Sequence, residues 1–257
     1  MIQQTKHYGW LPDLPDHRDL RYSAVRHDAL AKPTPPLVDL RAQCPPVYDQ
    51  GSLGSCTANA IAAAFQFELI KQNLPVFNPS RLFIYYNERV LEGHVKEDSG
   101  AQIRDGIKSV ATQGVCDETL WPYNIAKFAQ KPTKAMYTKA LKSQALQYTR
   151  LNNTAINELK ACLASGNPFV FGFTAYQSFE GDKVAQSGVL PMPSSSESVM
   201  GGHAVMAAGY DDSKSAFIIR NSWGNSWGLQ GYFYMPYDYI TSTDLADDFW
   251  TISQVEG

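Results

Sequence analysis

The stretch DQGSLGSCTANAIAAAFQFELI, residues 49–70, predicts a buried helix that begins beside a single cysteine. Apolar side chains cover nearly every face of this helix, so we expect it to lie at the centre of the fold. Ser55 is a favourable N-cap residue, which places Cys56 in the first turn, where the helix dipole stabilises an anion. Gly51 and Gly54 let the backbone turn sharply just before it. Cys56 is therefore a candidate thiolate nucleophile, although a free cysteine in such a place is commonly a small buried apolar residue.

The rest of the chain shows helix patterns first and strand patterns later. Three further helices are predicted at 80–91, 102–113 and 154–164, and four strands at 169–173, 203–210, 216–221 and 231–235. This segregation favours an α+β fold over alternating β-α-β units. We expect a Pro-rich leader over residues 1–36 that is extended or turn-like. A mainly helical half should follow over residues 37–145, and a mainly β half over residues 146–257.

Composition and charge limit the classes of partner. The chain has 257 residues and a formal net charge of -3, so neither nucleic acid nor an anionic membrane is expected as a partner. No apolar run approaches the roughly 20 residues that span a bilayer. The N-terminus lacks the apolar core of a signal peptide; the protein is then cytoplasmic, or secreted if Met1 replaces a removed signal. The four cysteines form no C-x-x-C pair and no His lies at metal spacing, so no metal is expected.

A nucleophilic cysteine needs a neighbouring imidazole that accepts its proton. Of the five histidines, His203 stands at the start of an apolar strand behind two glycines, where it is uncrowded. Asn221 ends the next predicted strand, where Asn is unfavourable, and its amide oxygen is available to hold the far nitrogen of the ring. Trp223 is placed to shield that hydrogen bond from water. Taken singly, these residues also suit ordinary roles, a packed histidine and a turn anchored by tryptophan.

In their order along the chain, these residues resemble the papain-like cysteine peptidases. The resemblance covers residues 37–257 and runs through VDLRAQCPPVYDQGSLGSCTANA, SGAQIRDGIKSV, GVCDETLWPY, GGHAVMAAGYDD and RNSWGNSWGLQGYFYMP. It implies a two-lobed fold, with a helical half, an antiparallel β-barrel-like half and the active-site cleft between them. It also implies that the catalytic residues are Gln50, Cys56, His203 and Asn221.

The resemblance implies a role for each of these four residues. Cys56 and His203 form a thiolate–imidazolium pair before the substrate arrives, and Asn221 orients the ring. The side-chain amide of Gln50 and the backbone N–H of Cys56 stabilise the oxyanion. Substrate-binding roles carry over to Ser99, Gly100, Gly202 and Trp223.

The sequence departs from the family pattern around the nucleophile. Where the family commonly reads C-G-S-C-W, this chain has LGSCT, so Leu53 removes the first cysteine and the disulfide usually made there. Thr57 replaces the aromatic residue, which is expected to alter the cleft wall. The loop that aligns substrate often carries two glycines in the family, and here it reads Ser99-Gly100.

The function implied is hydrolysis of peptide bonds in a peptide or protein substrate through a thioester acyl-enzyme, with no metal or organic cofactor. Two alternatives stay open: a transamidase or acyltransferase on the same Cys–His pair, and a catalytically silent papain-like binding module. The leader precedes the point where the mature chains of the family normally begin. It is expected either to lie over the cleft and restrain activity, or to form a structural pad packed elsewhere. The sequence leaves the oligomeric state open.

Overall fold

The computed structural model describes residues 8–257. Within this range the α-helices are α1 Tyr22–Val25, α2 His27–Leu30, α3 Cys56–Lys71, α4 Arg81–Glu92, α5 Ile103–Gln113, α6 Lys134–Ala140, α7 Ile156–Ala164, α8 Gln177–Glu180, α9 Asp182–Ser187 and α10 Tyr237–Thr241. The β-strands are β1 Leu37–Asp39, β2 Ala145–Arg150, β3 Phe169–Tyr176, β4 Val199–Asp211, β5 Ala216–Arg220, β6 Tyr232–Pro236 and β7 Ala246–Val255. Over these same residues, no helix combines the length and the apolar character needed to cross a membrane.

The strands form one antiparallel sheet in the order β2-β7-β3-β4-β5-β6, and β1 pairs with β4. No ladder joins β2 to β6 among the described strands, so the half expected to be barrel-like is an open sheet. Phe173 of β3 lies opposite His203 of β4, and Gly172 lies opposite Ala204. This register fixes which side chains of β4 face the helical half.

Helix α3 is the centre of the molecule, as the sequence predicts. Its residues are buried from Cys56 to Leu69, and it contacts α4 and α5 as well as β4 and β7. The run of small residues Ala62, Ala63 and Ala64 lets these neighbours approach the helix axis closely. Because both faces are covered, the position of Cys56 at the first turn is set by packing along the whole helix.

The structure confirms the main predicted elements and corrects others. The four predicted long helices correspond to α3, α4, α5 and α7, and the four predicted strands to β3–β6. Strands β2 and β7 were not predicted; they pair with each other across more than a hundred residues of sequence, which no local pattern reports. The leader was expected to contain no helix, yet α1 and α2 occur in YSAVRHDAL, a proline-free part of it.

The described part of the leader is fixed to the body by buried charges. The backbone N–H of Asp13 donates to Asp248 at 2.7 Å, and Arg104 forms a salt bridge with Asp19 at 2.6 Å. Arg150 joins the two sides, since its guanidinium lies 3.2 Å from Asp19 and 3.0 Å from Asp248. Buried hydrogen-bonded ion pairs of this kind hold one geometry, so this part of the leader has a defined path along the body.

Truncation of Phe65 tests the central position of α3. Phe65 is fully buried and its ring centroid lies 6.2 Å from that of Phe77. We expect Phe65→Ala to lower the free energy of unfolding by about 3–5 kcal/mol, because it leaves a cavity in the core. Val76→Ala is the control, since Val76 is 55% exposed, and its change should stay within about 0.5 kcal/mol. Equal losses in denaturant unfolding would contradict the core assignment.

Candidate active site

Cys56 is fully buried at the N-terminus of α3. The sequence predicts that the Ser55 side chain caps this helix, and that prediction is wrong. The Ser55 hydroxyl bonds instead to the Tyr123 hydroxyl at 2.6 Å. The backbone N–H of Thr57, in the first turn, lowers the pKa of the Cys56 thiol. The helix start therefore presents a donor to the sulfur, as expected for a nucleophile at this end of a helix.

Gln50 is held in place from the β half. Its backbone N–H donates to the Ser222 carbonyl at 2.9 Å, and its side-chain Oε1 accepts from the Ser222 hydroxyl at 2.7 Å. Its Nε2 donates to the carbonyl of Leu53 at 2.9 Å. With Oε1 fixed on Ser222, the amide nitrogen is turned towards the loop that leads to Cys56. Nothing in the local sequence around Ser222 indicated this role.

His203 lies on β4 and is oriented by Asn221. Its Nε2 is 2.9 Å from Asn221 Oδ1, which also accepts from the Ser222 backbone N–H at 2.8 Å. An oxygen that accepts from a backbone N–H is an acceptor towards the ring as well, so Nε2 carries the proton. This is the hydrogen bond expected from the sequence between Asn221 and the far nitrogen of His203.

Aromatic side chains enclose the His203 ring. Trp223 lies with its ring centroid 5.1 Å from that of His203 at an interplanar angle of 34°, next to the Asn221 contact. The ring centroids of Phe179 and Tyr8 lie 5.8 Å and 5.7 Å from that of His203. These rings exclude water from the imidazole, which strengthens its hydrogen bonds.

The sulfur and the histidine strand meet at one point. Ala204 follows His203 on β4, and its backbone N–H lowers the pKa of the Cys56 thiol, so the two lie next to each other. Gln50, Cys56, His203 and Asn221 are thus brought to one junction between α3 and β4. The four residues are separated widely in sequence, so their convergence is a property of the fold.

The leader enters this junction. The backbone N–H groups of Gly9 and Trp10 donate to the Gly202 carbonyl at 3.1 and 2.9 Å. The Gly9 carbonyl accepts from the Ala101 N–H at 2.7 Å, and Leu11 N–H donates to the Ala101 carbonyl at 3.0 Å. A short stretch of the leader is therefore bonded on both sides, to β4 and to the loop before α5.

The loop at Ser99-Gly100 lies beside the bound segment of the leader. Backbone pairing with the bound segment is made by Ala101, not by Gly100. Gly100 has φ +75°, and a Cβ there would lie 2.4 Å from the Gly9 carbonyl oxygen, so this position allows only a close approach of backbone. Ser99 donates its hydroxyl to the Gly100 carbonyl at 3.0 Å.

Asp98 supports the loops around the cysteine and was not indicated by the sequence. Its carboxylate accepts from the Gly54 N–H at 3.1 Å and from the Tyr85 hydroxyl at 2.5 Å. The Tyr85 hydroxyl in turn accepts from the Gly100 N–H at 3.1 Å. The Asp98 carboxylate thus connects the turn before Cys56 with the loop at Ser99-Gly100.

Thr57 points away from the cleft. Its hydroxyl donates to Glu88 Oε2 of α4 at 2.9 Å, and both residues are fully buried. Burial raises the pKa of Glu88 well above its ordinary value, which favours the neutral carboxyl. The residue that replaces the family aromatic therefore joins α3 to α4.

Burial controls the ionisation of Cys56. Burial raises its pKa to about 12, against the N–H groups of Ala204, Gly9 and Thr57, which lower it. The raised pKa favours the neutral thiol while the sulfur stays covered. The thiolate–imidazolium pair expected from the sequence stays a prediction.

The remaining cysteines are free thiols, Cys44 half-buried and Cys116 and Cys162 buried. Among residues 8–257, no group of three or more His, Cys, Asp or Glu side chains is placed to hold a metal ion.

The fold and the site together define a class of cysteine-dependent hydrolases, with the nucleophile on a helix and the histidine on a facing strand. Residues 34–250 match the family model for papain family cysteine proteases. The chain therefore belongs to the papain family of cysteine proteases, which are thiol proteases and hydrolases.

Similar proteins agree with this assignment. The structure of xylellain, a cysteine protease from Xylella fastidiosa, is 47% identical, with a TM-score of 0.89 over 100% of this chain and 99% of that one. An uncharacterized peptidase C1-like protein of Acanthamoeba polyphaga mimivirus is 44% identical over 98% of this chain and 88% of its own length. Digestive procathepsin L 3 of Tenebrio molitor shares the fold, with a TM-score of 0.69 at 20% identity over 95% of this chain and 75% of that one.

The raised pKa of Cys56 predicts how fast this thiol reacts. In the full-length protein, alkylation of Cys56 by iodoacetamide should accelerate with every pH step from 6 to 10, because the thiolate fraction keeps growing below a pKa of about 12. Displacing the leader exposes the sulfur to water and should lower this pKa. We therefore expect a Gly9→Ala variant to react faster at pH 7 and to reach its plateau at lower pH. Mass spectrometry of the Cys56 peptide measures this rate, and identical pH profiles for the two proteins would contradict the burial argument.

Proposed function

We propose that the protein hydrolyses peptide bonds by a Cys-His-Asn mechanism through a thioester acyl-enzyme. His203 takes the proton of Cys56, the sulfur attacks the scissile carbonyl carbon, and His203 then protonates the leaving amine. Water hydrolyses the thioester in a second step. The observation that carries this proposal is the junction itself: the His203–Asn221 hydrogen bond of 2.9 Å lies beside a cysteine at a helix N-terminus.

The oxyanion is assigned to two donors. They are the backbone N–H of Cys56 and the side-chain amide of Gln50, which is fully buried and fixed through Ser222. Preorganised donors of this type act without reorganisation when charge develops on the carbonyl oxygen. Gln50 therefore contributes to the transition state and not to the resting hydrogen bonds of the triad.

The leader, in this proposal, restrains the enzyme from within its own cleft. The Gly9 N–H lowers the pKa of the Cys56 thiol, so this part of the leader lies next to the sulfur. The Gly9 carbonyl accepts from the Ala101 N–H. The bound segment therefore occupies the space beside the sulfur. Residues 1–7 of the leader lie outside the described part of the chain.

Two contacts explain why the segment fits. Gly9 passes so close to the loop before α3 that a Cβ on it would lie 1.7 Å from the Gly54 carbonyl oxygen. The Tyr8 hydroxyl donates to Glu180 at 2.7 Å, while the Tyr8 ring lies against His203. The similarity in fold to a procathepsin also suits a zymogen-like resting state.

Epoxide labelling tests the nucleophile. An epoxide inhibitor of thiol peptidases should form one adduct on Cys56, and Cys56→Ala should remove both the adduct and all peptidase activity, since no other group attacks the carbonyl. The control is Cys44→Ala, because Cys44 is only half-buried and makes its contact at the Leu40 carbonyl. Preferential labelling of Cys44, Cys116 or Cys162 would contradict the mechanism. Products that carry an added amine would identify acyl transfer in place of hydrolysis.

Gly9→Ala tests the restraint by the leader in the full chain. Because the added methyl group has no room beside Gly54, the segment should leave the cleft and kcat/KM should rise by about tenfold or more. Leu14→Ala is the control, since Leu14 belongs to the leader but is 72% exposed. Equal peptidase rates for the parent, Gly9→Ala and Leu14→Ala would show that the leader is a structural pad.

A further inference from the structure

The loop of residues 49–55, which we call the oxyanion loop, carries or adjoins both groups to which the oxyanion is assigned. Gln50 stands near its start, and the N–H of Cys56 follows its last residue, Ser55. Ser222 holds Gln50 from the β half. Donors of this kind stabilise developing charge only where they are preorganised. The position of both donors therefore depends on what holds the backbone of the loop from the helical half.

Arg81, in the first turn of α4, holds the residue that precedes each of the two donors. Its guanidinium is buried, and Nη1 donates to the Asp49 carbonyl at 3.1 Å. The same nitrogen donates to Asn59 Oδ1 at 3.1 Å. The Nδ2 of Asn59 in turn donates to the Ser55 carbonyl at 2.9 Å and to the Ser55 hydroxyl at 3.1 Å. One guanidinium thus fixes Asp49, before Gln50, directly, and fixes Ser55, before Cys56, through a single side chain.

Tyr123 joins the two ends of the oxyanion loop. Its ring centroid lies 3.9 Å from Cζ of Arg81. Its hydroxyl donates to the Gln50 carbonyl at 2.9 Å and lies 2.6 Å from the Ser55 hydroxyl. A carbonyl only accepts, so the Tyr123 proton goes to Gln50 and the Ser55 hydroxyl donates to Tyr123. Burial raises the pKa of Tyr123, which keeps that proton on the phenol.

The other contacts of Arg81 hold its guanidinium in one orientation. Its Nε and Nη2 donate to the two carboxylate oxygens of Glu118 at 2.9 and 2.8 Å, a bidentate pair. The Tyr48 ring centroid lies 4.7 Å from its Cζ, so a second aromatic ring contacts the planar group. A lysine ammonium makes neither the bidentate pair nor the planar contact. The direction of Nη1 towards the oxyanion loop is therefore a property of the guanidinium.

We propose that Arg81 is a positioning residue of the reaction, which together with Tyr123 holds the oxyanion loop so that both donors are in place before charge develops. Arg81 touches neither the substrate nor the reacting atoms, and it acts through Asp49, Asn59 and Tyr123. This inference rests on the proposed peptidase function. Because the oxyanion exists only in the transition state, loss of Arg81 should lower kcat and leave KM nearly unchanged.

Arg81→Gln tests the guanidinium in the full-length chain that carries Gly9→Ala. Gln is neutral and shorter, so it cannot bond to Glu118 and Asp49 together. With a fluorogenic peptide, kcat should fall by about ten- to hundredfold while KM stays within about threefold. Alkylation of Cys56 by iodoacetamide forms no oxyanion, so its rate should also stay within about threefold. An unchanged kcat, or equal losses in hydrolysis and alkylation, would overturn the inference.

Tyr123→Phe keeps the test decisive if Arg81→Gln does not fold. It removes one hydroxyl and keeps the ring that contacts the guanidinium. We expect kcat to fall by about tenfold, again with KM and the alkylation rate within about threefold. When both variants fold, the double variant should lose little more than Arg81→Gln alone, because both side chains act on the same loop. Additive losses would contradict a single clamp.

Arg89→Gln is the matched control. Arg89 lies on the same helix and is also buried. Its guanidinium likewise donates to backbone carbonyls, those of Val95, Glu97 and Phe128. Its loss should lower the midpoint of thermal unfolding, whereas kcat should stay within about threefold of the parent. A fall in kcat as large as that of Arg81→Gln would show that any buried arginine of α4 has this effect, which would overturn the inference.

Amide hydrogen exchange separates this inference from the proposed function. If the Gly9→Ala parent hydrolyses no peptide, the peptidase proposal fails, and exchange at the Gln50 amide, which donates to the Ser222 carbonyl, decides the clamp alone. This amide should exchange about tenfold or more faster in Arg81→Gln and in Tyr123→Phe than in the parent, and at the parent rate in Arg89→Gln. Equal exchange in all four proteins would overturn the inference.

Discussion

The contact between the first turn of α3 and strand β4 is the interaction on which the rest of the site depends. It places the Cys56 sulfur against the backbone N–H of Ala204, one residue beyond the histidine that Asn221 orients. The contact is held by the whole length of a buried helix against the sheet and by Gln50, which Ser222 fixes from the other side. A rigid scaffold of this kind keeps catalytic groups in a productive geometry at little cost when substrate binds.

The leader uses the same geometry for the opposite purpose. Its backbone satisfies the donor and acceptor of Ala101 and the carbonyl of Gly202, and its Gly9 N–H lowers the pKa of the Cys56 thiol. Burial at this contact also raises the pKa of Cys56. Under the restraint that we propose, occupation of the cleft and the raised pKa are two results of one contact.

Local sequence patterns predicted those parts of the site whose signals are local. Cys56 before an apolar helix, and His203 behind two glycines, are visible in short stretches of sequence. Ser222, Asp98 and Asp248 were not predicted, because each acts through partners far away in the chain: Ser222 on Gln50, Asp98 on Gly54 and Asp248 on Trp10. The pairing of β2 with β7 escaped prediction for the same reason. The burial of Cys56 by a distant segment, which raises its pKa, is likewise not encoded near the cysteine.

Amide hydrogen exchange tests most directly whether the leader is seated against the sulfur. In the full-length protein at neutral pH, the Trp10 and Ala101 amides, which bond to Gly202 and to Gly9, should be protected together and should open in one step. Exchange at Trp10 as fast as in an unstructured peptide, while α3 stays protected, would contradict the account.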